Sequence, residues 1–257
     1  MTYKLYNQND YGSVPYPAPG YENATVKSGG CGAVCAAMLV ENLTGEPFPP
    51  ERAAAYAIGA GARVSGGTDM RKLAKSLGQS FGLTVEMSDK VSRLTACLAS
   101  GGMAIANAGG DRQGYKGVFS NGGHYVVVFG LSGGQLIIGD PGLYSGKYDK
   151  PYRKTVTVST GLCYAEAEVL DSDCANRSPR YYLFAKEEEE VTQEQFESMM
   201  ESYLAQRGRE EASAWAAREI ERAKSAGITD GARHRAFATR EEVMAMVLRA
   251  QEGGKQA

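Results

Sequence analysis

The segment from His124 to Pro141 restricts the possible fold more than any other stretch of this 257-residue chain. His124-Tyr125-Val126-Val127-Val128-Phe129-Gly130 is made of β-branched and aromatic residues, the composition of a strand. Ser132-Gly133-Gly134 supplies a turn, Gln135-Leu136-Ile137-Ile138-Gly139-Asp140 returns as the partner strand, and Pro141-Gly142 ends it. Such a hairpin commits the chain to an antiparallel sheet. It also sets the start of its first strand beside the end of its second. His124 and Asp140 therefore become neighbours. A carboxylate beside an imidazole selects its tautomer and stabilises its protonated form. Aspartate also opens turns, so Asp140 has a structural reading as the lead into Pro141-Gly142.

A histidine held by a carboxylate is half of a nucleophilic pair, and the other half lies far back in the chain. Ser28-Gly29-Gly30-Cys31-Gly32 runs from small residues into Ala33-Val34-Cys35-Ala36-Ala37-Met38-Leu39, a helix-forming apolar run. The spacing predicts a helix from about Cys31 to Leu43, with Cys31 in or just before its first turn. Unpaired N–H groups and the positive end of the helix dipole favour a thiolate there. The glycines leave room for another molecule to approach. Cys35, one turn on, reads as a buried core residue. Of the two histidines, His124 follows Gly122-Gly123 and faces a glycine-rich opening. His234 falls in a turn of the C-terminal region among arginines and is expected at the surface. A cysteine that attacks a carbonyl also needs a donor for the oxyanion. Gln8 is the candidate, beside the Cys31 backbone N–H.

The totals narrow the partners. A formal net charge of −2 offers no whole-chain basic field for nucleic acid or an anionic membrane. Five cysteines at these spacings make no paired zinc pattern, and no cofactor or metal is implied. Cys163 and Cys174 could pair only in an oxidising space. The N-terminus lacks an apolar run of signal-peptide length, and no segment is long and apolar enough to span a bilayer. The expectation is cytoplasmic synthesis, with passage through the membrane left to another agent if the target lies outside.

Elsewhere the pattern is coarser. Residues 1 to about 27 are expected to be an ordered loop, and Pro47, Pro49 and Pro50 to start a helix running to about Ile58. Thr68 reads as the N-cap of a helix from Asp69 to Leu77 stopped by Gly78. A strand is expected over Phe81–Met87, then a helix capped by Ser88 and ended by Gly101-Gly102, then a buried strand from Met103 to Ala106. The polar, glycine-rich run Asp111–Gly123 is expected to be a surface loop. Thr155–Ser159 and Arg180–Phe184 read as strands closing the sheet.

Taken together, Gln8, Ser28-Gly29-Gly30-Cys31-Gly32, Gly122-Gly123-His124-Tyr125-Val126-Val127 and Gly139-Asp140-Pro141 resemble the papain-like cysteine peptidases related to those that trim double-glycine leaders from bacteriocins. The resemblance covers roughly residues 3 to 185, and Gly66-Gly67-Thr68 ahead of a helix is similar to that family's soluble branch. It implies Cys31 as nucleophile, His124 as base, Asp140 as orienting acid and Gln8 in the oxyanion hole. Ala33-Val34-Cys35 stands where that branch often has Pro-Thr-Ser. No transporter segments follow, which points away from bacteriocin export.

From Lys186 the character changes. Glu187–Glu190 reads as a solvated linker or a helix start, and beyond it the pattern is helical. Thr192 with Gln195, and Thr239 with Glu242, fit capping boxes. Phe196, Met199, Met200 and Tyr203 form one apolar stripe, Trp215, Ile220 and Ala223 a second, and Val243, Met246, Val247 and Ala250 a third. Each is expected to be a packing surface. Gly227–Gly231 is expected to turn between the last two helices. Trp215-Ala216-Ala217, Gly227-Ile228-Thr229-Asp230-Gly231 and Ala238–Met246 resemble the helical repeat at the C-termini of phage endolysins and cell-wall amidases, distantly similar to S-layer homology repeats.

The expected architecture is therefore α+β. A papain-like domain over 1–186 combines a helical half with an antiparallel sheet, and a small all-α domain follows over 187–257. The resemblance implies a cysteine peptidase, foremost a phage lysin cutting peptides of peptidoglycan after release through holin pores. The alternatives are a protein- or leader-processing peptidase and a silent binding module. The C-terminal helices would serve wall attachment or self-association.

Overall fold

Ala33 to Val40 is an uninterrupted run of small and aliphatic residues, and every one of them is buried. A helix apolar all round belongs inside a domain. The computed structural model, which describes residues 2–187, 192–233 and 235–253, places it there as helix α1, Cys31–Thr44. Gly45 ends it in the left-handed conformation, at φ 81°. Helices α2 (Pro50–Gly59) and α3 (Met70–Phe81) follow it. With α1 they cover one face of a seven-stranded antiparallel sheet.

The strands are β1 (Leu83–Ser88), β2 (Met103–Ala108), β3 (His124–Ser132), β4 (Gln135–Gly139), β5 (Thr157–Ser159), β6 (Leu162–Ala165) and β7 (Tyr181–Lys186). Their order across the sheet is β1-β7-β2-β3-β4-β6-β5. Helices α4 (Val91–Ala99) and α5 (Ala167–Cys174) contribute Leu94, Leu98, Leu170 and Cys174 to a second core on the other face. The α+β class expected from the sequence, helices with an antiparallel sheet, is what the chain adopts.

Several local expectations are corrected. The α3 N-cap is Asp69, not Thr68: its carboxylate accepts from the N–H groups of Arg71 and Lys72, while Thr68 pairs with Arg63 in a two-residue ladder. Gly78 does not stop the helix. A Cβ there would stand 2.8 Å from Val85 Cγ2 and 2.9 Å from the Leu83 carbonyl, so the glycine permits close helix–strand packing. Gly82, at φ 58°, is the actual stop, and Phe81 belongs to the helix. Ser88 remains in its strand and α4 starts after Lys90. The Arg180–Phe184 expectation becomes β7, which does not close the sheet but lies inside it, between β1 and β2. Only β5 is an edge.

The stretch 111–123 is not wholly a surface loop. Gly117, Val118 and Phe119 are buried, because Asp173, itself fully buried on α5, accepts from the N–H groups of Val118 at 2.8 Å and Phe119 at 3.0 Å. Arg153, also buried, donates from Nη2 to Asn121 Oδ1 at 2.9 Å. The loop that delivers His124 is thus pinned from two sides. Cys163 and Cys174 are both buried as free thiols.

The chain divides into two compact units, Met1–Glu187 and Glu188–Ala257. The second contains helices α6 (Gln193–Arg209), α7 (Ala214–Ser225) and α8 (Arg240–Gly253). Both capping boxes form, at Thr192/Gln195 and Thr239/Glu242. The stripes do not close into a core. Phe196, Met199, Met200, Tyr203, Val243 and Val247 are exposed, and Trp215 is 83% exposed. Ile220, Ala223 and Met246 instead line an open cavity of about 580 Å³. The connection between α7 and α8 extends well beyond Gly227–Gly231. His234 and Glu188–Glu190, expected at the surface and in a linker, lie outside the described residues. No helix among the described residues is long and apolar enough to cross a membrane.

Candidate active site

Cys31 is the first residue of α1, half-buried, with Gly30 as the cap. The first N–H groups of a helix have no intrahelical acceptor, and the Cys31 N–H is one of them. The Lys27 carbonyl, four residues before Cys31, is the acceptor for Gln8. The Gln8 side-chain amide donates to it, Nε2 to O, at 3.0 Å. That contact holds the Gln8 amide against the segment leading into α1. The second Nε2 hydrogen stays available, and the Gln8 backbone N–H donates to the Pro141 carbonyl at 2.7 Å. Gln8 thus ties the approach to Cys31 to the exit from Asp140.

His124 opens β3 opposite Ala108. Its Nε2 lies 2.8 Å from Asp140 Oδ1, and the ring's other nitrogen, Nδ1, is left for Cys31, close enough that each group shifts the titration of the other. A feature invisible in the sequence makes the first contact possible. Ser132 pairs with Gln135 across the tight turn, but the register shifts between Val128 and Gly130, leaving Phe129 as a bulge. Without the extra residue, Asp140 would continue the ladder opposite Val127. With it, Asp140 falls opposite Val126, on the same face as His124. Phe129 is held by stacking on Tyr3, centroids 4.5 Å apart, and by Gly139, where a Cβ would stand 2.8 Å from its ring.

Asp140 is saturated with donors. Besides His124 it accepts from the Gly142 N–H at 2.9 Å, Tyr148 Oη at 2.7 Å and Lys147 Nζ at 2.5 Å. The Asp140 side chain is wholly buried and that of Lys147 almost so. Sequence reasoning missed Lys147 and Tyr148. The run Tyr144–Lys154 has no periodicity, and the only signal was a Lys-Tyr pair seven residues beyond Asp140. Gly142 allows the ring its place: a Cβ there would stand 3.2 Å from His124 Cε1.

The electrostatics follow from these contacts. Burial raises the Cys31 thiol, but the His124 hydrogen bond and charge, with the N–H groups of Tyr125 and Gly32, outweigh it and hold the thiol below its ordinary value. Burial lowers the imidazole, yet Asp140 and Cys31 push it up to about 9. Burial opposes the Asp140 carboxylate as well, and His124 and Lys147 hold it far below the usual carboxylate range. These directions describe one state, a thiolate–imidazolium pair beside a permanent carboxylate. By contrast Cys35, Cys163 and Cys174 are buried thiols pushed upward by desolvation.

No family model matches the sequence, and no curated protein does. Two solved structures are similar in outline. The peptidase domain of Streptococcus ComA, a bi-functional ABC transporter involved in a quorum-sensing pathway, aligns with 61% of this chain and 91% of its own at 19% identity and a TM-score of 0.40. A C39-like peptidase from Bacillus anthracis aligns with 61% of this chain and 88% of its own at 13% identity and a TM-score of 0.42. Neither likeness supplies the chemistry, which rests on the side chains described above.

Proposed function

We propose that this chain is a cysteine peptidase in which Cys31, His124 and Asp140 act as a triad. The observation that carries the reading is the His124 ring bonded to the Asp140 carboxylate at 2.8 Å, with its other nitrogen left for the Cys31 sulfur at the start of α1. The thiolate attacks a peptide carbonyl, and a C–S bond forms. The Cys31 N–H and the Gln8 amide receive the oxyanion. His124 gives its proton to the departing amine as the C–N bond breaks, leaving a thioester. Water, deprotonated by the now neutral His124, attacks the thioester. The C–S bond breaks, the acid leaves, and the thiolate–imidazolium pair returns. Asp140 keeps the ring oriented throughout.

For the substrate we propose peptides of the bacterial cell wall, on the strength of the endolysin-like motifs in the second unit. Wall and protein substrates separate in one experiment. Purified peptidoglycan and a casein-like protein are each incubated with the native chain and with Cys31→Ala, and released fragments are read by mass spectrometry. The proposal expects new peptide termini from the wall, lost in Cys31→Ala. Fragments from the protein alone would transfer the activity to protein or leader processing. No fragments from either, with an unreactive Cys31, would mark a silent binding module.

A further inference from the structure

Gly122-Gly123 precedes His124, and a Cβ on Gly122 would meet nothing within 4 Å. Gly123 is different: a Cβ there would stand 2.8 Å from Arg177 Nη2. The Arg177 guanidinium therefore lies against bare backbone next to the catalytic histidine, at a position only glycine leaves open. Among the described residues Arg177 has no ion pair and its side chain makes no hydrogen bond; its Nε is buried without a partner. Other arginines of this unit are occupied. Arg180 pairs with Asp171, Arg153 holds Asn121, and Arg71 donates to the Ser178 carbonyl. The charge also reaches Tyr125, the residue after His124: burial raises the Tyr125 phenol and Arg177 acts against it. Asp69, whose charge also reaches Tyr125, is engaged in capping α3.

A guanidinium with an unsatisfied buried nitrogen, beside the reacting groups and open space, is a fork without its carboxylate. We infer that Arg177 binds a carboxylate of the substrate near the scissile bond, so the preferred substrate is a peptide carrying an acidic side chain or a free C-terminus close to the cut. This rests on the peptidase reading above.

The test uses the full chain and pools of internally quenched peptides, random except at one position fixed as glutamate or glutamine, each made with a free or an amidated C-terminus. The native chain is expected to cleave the glutamate or free-terminus pool at least about tenfold faster than its neutral counterpart. The arm that shows the preference identifies the source of the carboxylate. Arg177→Gln should bring that ratio close to one while cleavage of the neutral pool is retained, and Arg177→Lys should recover part of it. Anisotropy binding of the same pools to Cys31→Ala, with and without Arg177→Gln, reads the preference without turnover. Cleavage with an unchanged ratio in Arg177→Gln overturns the inference and leaves the peptidase standing. Arg177-dependent binding without turnover by the native chain upholds Arg177 as a carboxylate site and overturns the peptidase, and with it the placement of that carboxylate near a scissile bond. Equal binding of all pools, or none, overturns the inference.

Discussion

Replacing Lys147 with methionine removes one cation from a buried carboxylate while keeping the length of the side chain. Asp140 has four donors, and Lys147 is the one whose charge does not depend on the state of His124. Removing one partner of a buried ion pair costs about 3 to 5 kcal/mol. The imidazolium, Tyr148 and the Gly142 N–H remain, so the lower end applies near neutral pH, about 3 kcal/mol. The sign with pH follows from His124. Its folded pKa is raised above the ordinary value of 6.5 to about 9, so its contribution to stability is complete below 6.5 and lost as pH rises through about 9. In Lys147→Met the imidazolium is the only cation left on Asp140, so the deficit grows as the pH climbs past that point. Urea unfolding at pH 7 and pH 10, followed by near-UV circular dichroism of the tyrosines, measures both. Tryptophan fluorescence would follow the other unit, since the single tryptophan is Trp215. The midpoint at pH 7 should fall by at least about 1 M urea. A shift equivalent to less than about 0.5 kcal/mol, within the range of ordinary surface substitutions, would refute the view that Lys147 carries the carboxylate.

Two further outcomes follow from the same geometry. Gly142→Ala keeps its N–H to Asp140 but sets a methyl 3.2 Å from His124 Cε1. Cleavage kinetics should show kcat/KM lowered about ten- to hundredfold with little change in the unfolding midpoint. Cleavage against pH should rise along a limb below 9.0, where the thiolate–imidazolium pair forms, and fall near about 9, where the imidazolium loses its proton. Both limbs belong to the coupled pair rather than to either residue.

Much of the site is legible in the sequence because its logic is local. A β-branched run, a glycine turn and a returning apolar run place His124 near Asp140, and a glycine-rich lead into an alanine-rich helix sets Cys31 at a helix start. What escapes the sequence depends on contacts between distant segments. The Phe129 bulge exists because of Tyr3 and Gly139. Gly78 looks like a helix stop until Val85 is packed on it. The place of Tyr181–Lys186 inside the sheet is hidden because a buried strand reads the same at any position. Lys147 and Tyr148 sit in an aperiodic loop, where no spacing marks them as partners of Asp140. The apolar stripes of the second unit carry helical periodicity, yet periodicity says nothing of what covers them.

The most direct measurement is the rate of Cys31 alkylation by iodoacetamide across pH, read by mass spectrometry in the native chain and in His124→Ala. A thiolate held by an imidazolium predicts that Cys31 is the most rapidly labelled of the five cysteines, with a midpoint below the ordinary thiol value of 9.0. It also predicts that His124→Ala moves that midpoint upward. A Cys31 that titrates at the ordinary value and does not respond to the loss of His124 would contradict the account.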